Sequence, residues 1–172
     1  MHPAATCWPL YTAPKIRNDP DKLQNILAAF LKIPEPIVFP VHPRTRRKFA
    51  DLTTYDFKAG FGAPAFEFQN ITFIDPVSFL DMVQLEQNAR CILTDSGGVQ
   101  KEAYFHGIPC VTLREETEWV ETVHAGWNQV VDTDTDSICK AVRKADQGDP
   151  IPESGEGSAA KAIVDILAGD ER

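Results

Sequence analysis

The stretch Thr94-Asp95-Ser96-Gly97-Gly98-Val99-Gln100-Lys101-Glu102 follows the apolar run Cys91-Ile92-Leu93 and decides the fold class. An apolar run that enters a glycine-rich turn and then a helical sequence predicts a strand, a tight turn and a helix. The glycines let backbone N–H groups approach a ligand closely, and Ser96 adds a hydroxyl. The helix that begins near Val99 directs the positive end of its dipole to the same place. The turn is therefore a candidate site for a phosphate or diphosphate.

The composition favours one compact domain that binds neither nucleic acid nor a membrane. The chain has 172 residues, of which 43% are apolar, and this is enough for a sizeable core. Its net charge of -8 is a poor match for nucleic acid or an anionic membrane surface. No apolar stretch approaches the length of a membrane span, and Met1 to Leu10 lacks the pattern of a signal peptide. An anionic small molecule would therefore need a local site.

The cysteines indicate neither a metal site nor a disulfide framework. Cys7, Cys91, Cys110 and Cys139 form no C-x-x-C pair and have no accompanying histidine spacing. We expect a cytoplasmic protein with no metal and no cofactor, in which Cys91 and Cys110 are small buried residues on strands. His106 and His124 have no evident partner in the sequence, and we expect them at the surface or at helix ends.

The rest of the chain alternates helices and short strands. Asp19 is the predicted N-cap of a first helix that carries Leu23, Ile26, Leu27, Phe30 and Leu31. The other predicted helices are a basic one after His42-Pro43-Arg44-Thr45 that runs to about Leu52, one opened by Pro76 that carries Phe79, Leu80, Val83 and Leu85, then Val99–His106, Thr117–Ala125, Asp136–Ala145 and Ser158–Leu167. The predicted strands are Ile37–Val41, Ile71–Ile74, Arg90–Thr94, Pro109–Leu113 and Gln129–Val131, whereas Phe57–Phe68 is predicted to be a loop.

Short Ile- and Val-rich strands separated by helices predict a parallel sheet that is covered on both faces. The fold class is therefore α/β, with a Rossmann-like parallel sheet flanked by helices. Ligands in such folds bind beyond the C-terminal ends of the strands. His42 and Ser96 both lie at predicted strand ends, so we expect them to share one crevice.

Several motifs give the chain a family resemblance. In order and spacing, the segments Pro40–Thr45, Thr94–Gln100 with Glu102-Ala103, Leu113–Glu118 and Gly126–Asn128 resemble the non-hydrolysing UDP-N-acetylglucosamine 2-epimerases. Gly155-Glu156-Gly157 also resembles the Gly-Asp-Gly turn before the last helix of that family. The likeness runs from Asp19 to the C-terminus, so residues 19–172 are expected to form a UDP-binding domain. It corresponds to the C-terminal half of a glycosyltransferase-B type enzyme.

The resemblance implies that the chain holds the nucleotide of a UDP-sugar. The family inverts C2 of UDP-N-acetylglucosamine by eliminating UDP and adding it back, which needs an electrostatic clamp on the leaving diphosphate. By resemblance, Ser96, Gly97 and Gly98 would bind the phosphates, and Glu102 would accept hydrogen bonds from the ribose. No catalytic residue is assigned with certainty, because most of the family's acid and base carboxylates belong to the absent N-terminal domain.

Three further residues belong to the expected site. Arg114 either neutralises ligand charge or holds Glu118 and Glu121 in place, and the sequence leaves both roles open. His42 and Arg44 lie where the family lines the cleft near the nucleotide or, in some bacterial members, a second regulatory UDP-sugar site. Without the motif, His42 would more simply be a structural histidine at a strand end.

Residues 1–18 form an atypical segment that lacks the family motif Thr-x-His-Arg-x-Glu-Asn. Two prolines make the stretch from Cys7 to Ile16 an unpromising strand. Codon degeneracy permits a shifted reading of that stretch, which gives Leu-Ala-Thr-Val-His-Arg-Ala-Glu-Asn. Our hypothesis is that this segment is out of frame and that the N-terminal domain is encoded upstream. Unrelated upstream sequence, or codons that exclude this reading, would contradict it.

Two alternatives and two partners follow from the resemblance. One alternative is an epimerase for another UDP-amino sugar, such as a diacetamido-uronate, which the run Glu115–Glu121 permits; the position of Trp119 also hints at a different sugar. The other is a UDP-binding module without catalysis. The expected partners are a UDP-sugar and either a second copy of the chain or a separately encoded N-terminal half. Trp119 and Trp127 are expected in the core or an interface.

Overall fold

The computed structural model describes residues 8–12, 19–41, 45, 65–151 and 159–169. Its strands are β1 (Trp8–Thr12), β2 (Ile37–Pro40), β3 (Ala65–Phe68), β4 (Ile71–Ile74), β5 (Ala89–Thr94), β6 (Cys110–Thr112) and β7 (Asn128–Val130). Its helices are α1 (Pro20–Lys32), α2 (Phe79–Gln87), α3 (Gly97–His106), α4 (Val120–His124), α5 (Thr135–Lys144) and α6 (Ala159–Gly169). None of the described helices has the length and apolar character that a membrane span requires.

The described strands form one sheet in the order β3-β4-β2-β1-β5-β6-β7. All neighbours pair in parallel except β3, which runs antiparallel to β4 at the edge. The parallel strands therefore share one C-terminal edge, where the turn after β5 and the segment after β6 lie side by side. This arrangement confirms the predicted α/β class and positions the candidate site.

Helices cover both faces of the sheet. On one face α1 packs against α5, and their apolar side chains join the main core. Phe30 of α1 meets Phe39 edge-on at 6.4 Å between ring centroids, and Phe39 lies 5.4 Å from Phe73. On the other face α2 packs against α3 over a smaller cluster that includes Ile92, Ala103 and Cys110. Cys91 and Cys110 are both buried, as predicted.

Local capping sets the start of α1 and the end of α3. The side chain of Asp19 accepts hydrogen bonds from the backbone N–H groups of Asp21 and Lys22, both at 3.1 Å, and this confirms the predicted N-cap. Helix α3 ends at Gly107, whose φ of +69° lies in the left-handed region that glycine adopts without steric cost. The preceding strand β5 and this helix match the elements predicted around the glycine turn.

The expectation that the proline-containing N-terminal stretch forms no strand was wrong. Strand β1 occupies the middle of the sheet, between β2 and β5. Pro9 coincides with a register shift between Trp8 and Pro9 in the pairing with β5, whereas Pro14 is outside the described residues. Irregular positions in a strand are where a residue without an N–H is tolerated.

Other differences concern element ends. The predicted loop Phe57–Phe68 contains β3, which joins β4 through a turn at Gln69, where φ is +53°. Helix α2 begins at Phe79 rather than Pro76, because the Ser78 hydroxyl caps the N–H of Asp81. Helix α4 begins at Val120 rather than Thr117. Most of the predicted basic helix after His42, and the Gly155-Glu156-Gly157 turn, lie outside the described residues.

Candidate functional site

The turn between β5 and α3 provides the hydrogen-bond donors of the site. Ser96 occupies the N-cap position of α3, but its side chain makes no capping hydrogen bond. The first helical bond is donated by Gln100 N–H to the Ser96 carbonyl at 3.1 Å, so the amides of the preceding turn have no partner within the helix. Ser96 N–H itself donates to the Thr94 hydroxyl at 3.0 Å, which fixes the turn. Such a helix start attracts anions.

The Glu118 carboxylate lies against this turn. A Cβ atom placed on Gly97 would be 2.9 Å from Glu118 Oε1, so only a glycine permits the present approach without a shift. Arg114 donates from Nη1 to both carboxylate oxygens of Glu118, at 2.8 and 3.2 Å. Glu121 pairs instead with Lys101 at 2.9 Å. Of the two carboxylates considered for Arg114, it therefore contacts Glu118, and a contact of Arg114 with a phosphate stays a prediction.

Side chains from the segment around Trp119 form hydrogen bonds with the first turn of α3. Trp119 Nε1 donates to the Gly97 carbonyl at 2.7 Å, and the Lys101 ammonium lies 4.5 Å from the centroid of the Trp119 ring. The Thr117 hydroxyl donates to Gln100 Oε1 at 2.5 Å. The predicted role of Trp119 as a packed aromatic is thereby specified: it holds a turn of the site.

A buried polar network supports the same helix from below. Asn128 Nδ2 donates to Gln100 Oε1 at 3.1 Å, and the Thr112 hydroxyl donates to Asn128 Oδ1 at 2.8 Å. All three residues are buried. Because buried polar groups are costly to leave unpaired, this network holds α3 in one position on strands β6 and β7.

Glu102 lies one turn further along α3 and is partly exposed. It follows Gly98 by four residues, so both lie on the same side of the helix. Helix α2 packs against α3 and carries Glu86, which is fully buried and faces the side of α3 that bears Glu102 and His106. Burial, and then the charge of Glu102, raise the pKa of Glu86 from 4.5 to about 7. His106 also faces Glu86, with Nε2 3.5 Å from Oε2, so it lies at a helix end as predicted but has a buried partner.

The structure brings together most of the predicted site residues. Ser96, Gly97, Gly98 and Glu102 share the first two turns of α3, and Arg114 reaches them through Glu118. Arg114 also lines a polar hollow of about 600 Å³, together with Lys22, Leu113, Glu115 and Glu116. An apolar hollow of about 460 Å³ lies elsewhere, against α2.

Three residues of the site differ in how far the sequence analysis and the structure can be compared. His42 and Arg44 lie outside the described residues, so their place in the crevice stays a prediction. Glu86 was assigned no role in the sequence analysis. Its place directly after Leu85, in a helix predicted from apolar periodicity, was the signal that a charged residue could be buried there.

Comparison with known proteins gives the chain a family. The family model described as UDP-N-acetylglucosamine 2-epimerase matches residues 13–168. A UDP-N-acetylglucosamine 2-epimerase homolog of Methanococcus maripaludis is 44% identical over 158 residues, which are 86% of this chain and 40% of that protein. The UDP-2,3-diacetamido-2,3-dideoxy-D-glucuronate 2-epimerase of Pseudomonas aeruginosa is 39% identical over 158 residues, covering 88% of this chain and 41% of that protein.

A solved structure agrees with both. The UDP-GlcNAc 2-epimerase of Methanocaldococcus jannaschii, in complex with UDP-GlcNAc and UDP, matches with a TM-score of 0.73 and 33% identity. The match covers 94% of this chain and 45% of that one, and the chain spans about two fifths of the length of the curated relatives. Because the family model covers nearly the whole sequence and the fold agrees, this chain belongs to the UDP-N-acetylglucosamine 2-epimerase family.

Proposed function

We propose that this chain is the nucleotide-holding part of a UDP-N-acetylglucosamine 2-epimerase. One observation carries the proposal: Ser96, whose side chain makes no capping hydrogen bond, and Gly98 stand at the start of α3, and Glu102 lies one helical turn from Gly98 on the same side of that helix. The first group suits a diphosphate, and a carboxylate suits the hydroxyls of a ribose. The spacing of about one helical turn between Gly98 and Glu102 fits the two parts of one nucleotide.

The chain supplies the grip on the leaving group rather than the chemistry at the sugar. Elimination takes UDP from C1 and a proton from C2 of the sugar, and re-addition returns the proton to the other face of C2 and UDP to C1, so both steps require an acid and a base close to the sugar ring. Within the described residues, the carboxylates at the turn include Glu102, for which we propose the ribose, Glu118, which is held by Arg114, and Asp95, which is buried beneath the turn. We therefore propose that the isolated chain binds UDP but does not complete the epimerisation.

The proposed setting is the cytoplasm, and the proposed partner is a separately encoded N-terminal half or a second copy of the chain. The described cysteines Cys91, Cys110 and Cys139 are buried and form no disulfide, which fits a reducing compartment. A partner would supply the acid and base groups that the described part of this chain does not bring to the turn. His42 and Arg44 are proposed to line the crevice between the two.

A second candidate is an epimerase for a UDP-diacetamido-uronate. The Pseudomonas aeruginosa relative, which is named for that sugar, is 39% identical to this chain. Glu115 and Glu116, the first residues of the run Glu115–Glu121, line the polar hollow, where we propose that a sugar with different substituents would be distinguished. Turnover with each UDP-sugar, measured on the same preparation, separates the two candidates.

Gly98→Ala tests the phosphate site directly. A Cβ atom at Gly98 would contact only Ser96 Oγ, at 3.8 Å, so the fold accepts it, while the methyl group stands beside the hydroxyl proposed to bind phosphate. We expect the Kd for UDP, measured by calorimetry, to rise about tenfold. Lys140→Ala, at an exposed position of helix α5 on the other face of the sheet, is the control and should leave the Kd unchanged. Equal Kd values for wild type and Gly98→Ala would contradict the site.

Turnover should depend on a partner. We expect no epimerisation of UDP-N-acetylglucosamine by this chain alone, and turnover when the polypeptide encoded directly upstream is added. The product is followed by chromatography of the UDP-sugars. UDP binding without turnover in the mixture would favour the non-catalytic module. Turnover by the chain alone would refute the proposal that a partner must supply the acid and base groups.

A further inference from the structure

Glu86 is a carboxylic acid enclosed between helices α2 and α3. Its side chain is fully buried near the end of α2, and among the described residues neither of its oxygens has a hydrogen-bond partner. The surroundings are apolar, since Met82, Leu85 and Ala103 belong to the same small core cluster. A buried ionised carboxylate without a partner is costly, so this position favours a neutral acid.

The groups that face Glu86 come from α3. Glu102 and His106 are four residues apart and so lie on one side of that helix. His106 Nε2 is 3.5 Å from Glu86 Oε2, longer than an ordinary hydrogen bond. From the strands beneath, the Cys110 thiol joins the cluster, and burial raises its pKa so that it stays neutral. Lys101 pairs with Glu121 instead.

An ionised carboxylate can only accept hydrogen bonds. Glu86 and Glu102 therefore repel each other when both are charged, because neither supplies a donor. They attract each other only if one carries a proton. Glu86 is the one that does, because it is buried and Glu102 is partly exposed. Burial and the negative charge of Glu102 hold the pKa of Glu86 at about 7.

We propose that Glu86 is a positioning residue of the nucleotide site: protonated Glu86 donates a hydrogen bond to one oxygen of Glu102 and leaves the other oxygen to accept from the ribose. A carboxylate has enough lone pairs for both bonds. The inference rests on the proposed role of Glu102. When Glu86 loses its proton, it becomes an acceptor for His106 instead, and Glu102 loses the donor that orients it.

The consequence is a nucleotide affinity that falls as the pH rises. Only the protonated fraction of Glu86 orients Glu102, and the apparent Kd increases as that fraction decreases. Between pH 6 and 8.5 we expect the Kd to increase on the order of tenfold. The probe is UDP-N-acetylglucosamine, because both of its phosphates are esterified and do not titrate in this range.

Glu86→Gln separates positioning from packing. The amide has nearly the same shape as the acid and donates a hydrogen bond at every pH, so we expect tight binding with no pH dependence from pH 6 to 8.5. Glu67→Gln, at an exposed position on edge strand β3, is the matched control and should keep the wild-type profile. If Glu86→Gln retains the wild-type pH profile, or if wild type has none, the positioning role is overturned.

A ligand-free measurement makes the test independent of the proposed function. The carbon-13 carboxyl resonance of Glu86, assigned by its loss in Glu86→Gln, should titrate with a midpoint near 7, and Glu102→Gln should lower that midpoint. A midpoint near 4.5, or one that Glu102→Gln leaves unchanged, would disprove the coupled pair. Absence of UDP-sugar binding at every pH would refute the nucleotide role and the proposed function together, while the titration would still decide the coupling.

Discussion

Gly148→Ala should lower the free energy of unfolding by about 3 kcal/mol, the upper range for forced overpacking. A Cβ atom on Gly148 would lie 2.2 Å from the Ala125 carbonyl oxygen and 2.7 Å from the Trp127 nitrogen. Both are backbone atoms, so no side-chain rotation can relieve the contact. The chain at this point passes directly over the turn between α4 and β7, and only a glycine permits the approach.

The cost is large because several hydrogen bonds hold this crossing together. Asp149 N–H donates to the Ala125 carbonyl at 2.7 Å, and Trp127 Nε1 donates to the Asp149 carbonyl at 2.7 Å. The Trp127 ring also meets Tyr104 edge-on, with centroids 5.6 Å apart. Moving the segment away from the turn to make room for a methyl group would weaken all of these contacts together.

Urea unfolding at neutral pH measures the effect. Gly98→Ala is the matched control, since its added methyl group would contact only Ser96 Oγ. Its free energy of unfolding should stay within about 0.5 kcal/mol of the wild-type value, as is usual for surface substitutions. A wild-type midpoint for Gly148→Ala would mean that the segment and the turn do not approach each other as described.

The parts of the fold that the sequence predicts are those that local signals determine. The apolar run Cys91–Leu93, the glycines after Ser96 and the cap at Asp19 each act within a few residues, and each element formed where it was expected. Strand β1 was missed because its pairing with β2 and β5 is a long-range property that overrides the unfavourable local signal of its prolines. Strand β3 was missed for a similar reason, since it depends on β4 as a partner.

The candidate site divides in the same way. Ser96, Gly97, Gly98 and Glu102 are close in sequence, so one motif places them together. The pairing of Arg114 with Glu118 rather than Glu121 depends on how the segment after β6 folds back onto α3, and the sequence left that choice open. Glu86 could not be linked to the site, because its proximity to Glu102 arises only when α2 packs against α3.

The second large effect concerns the stability of the fold as a function of pH. The pKa of Glu86 is raised from 4.5 to about 7 in the folded protein, so the folded state holds a proton that the unfolded state releases between these values. The stabilisation from this group is complete below pH 4.5 and is lost as the pH rises to 7. A shift of this size corresponds to roughly 3 kcal/mol, and we expect a loss of about 2 kcal/mol because Glu102 and His106, which face Glu86, are partly exposed.

Glu86→Gln replaces the titrating acid with an amide that does not ionise, so the variant does not lose stability through this group as the pH rises. The difference in unfolding free energy between Glu86→Gln and wild type should therefore become more positive from pH 4.5 to 7, by about 2 kcal/mol, and stay constant above pH 7. Urea unfolding at half-unit steps of pH gives both curves, and Glu67→Gln should follow wild type throughout. Because neither curve requires a ligand, a constant difference between Glu86→Gln and wild type would show that Glu86 is ionised in the folded protein, whatever the nucleotide site binds.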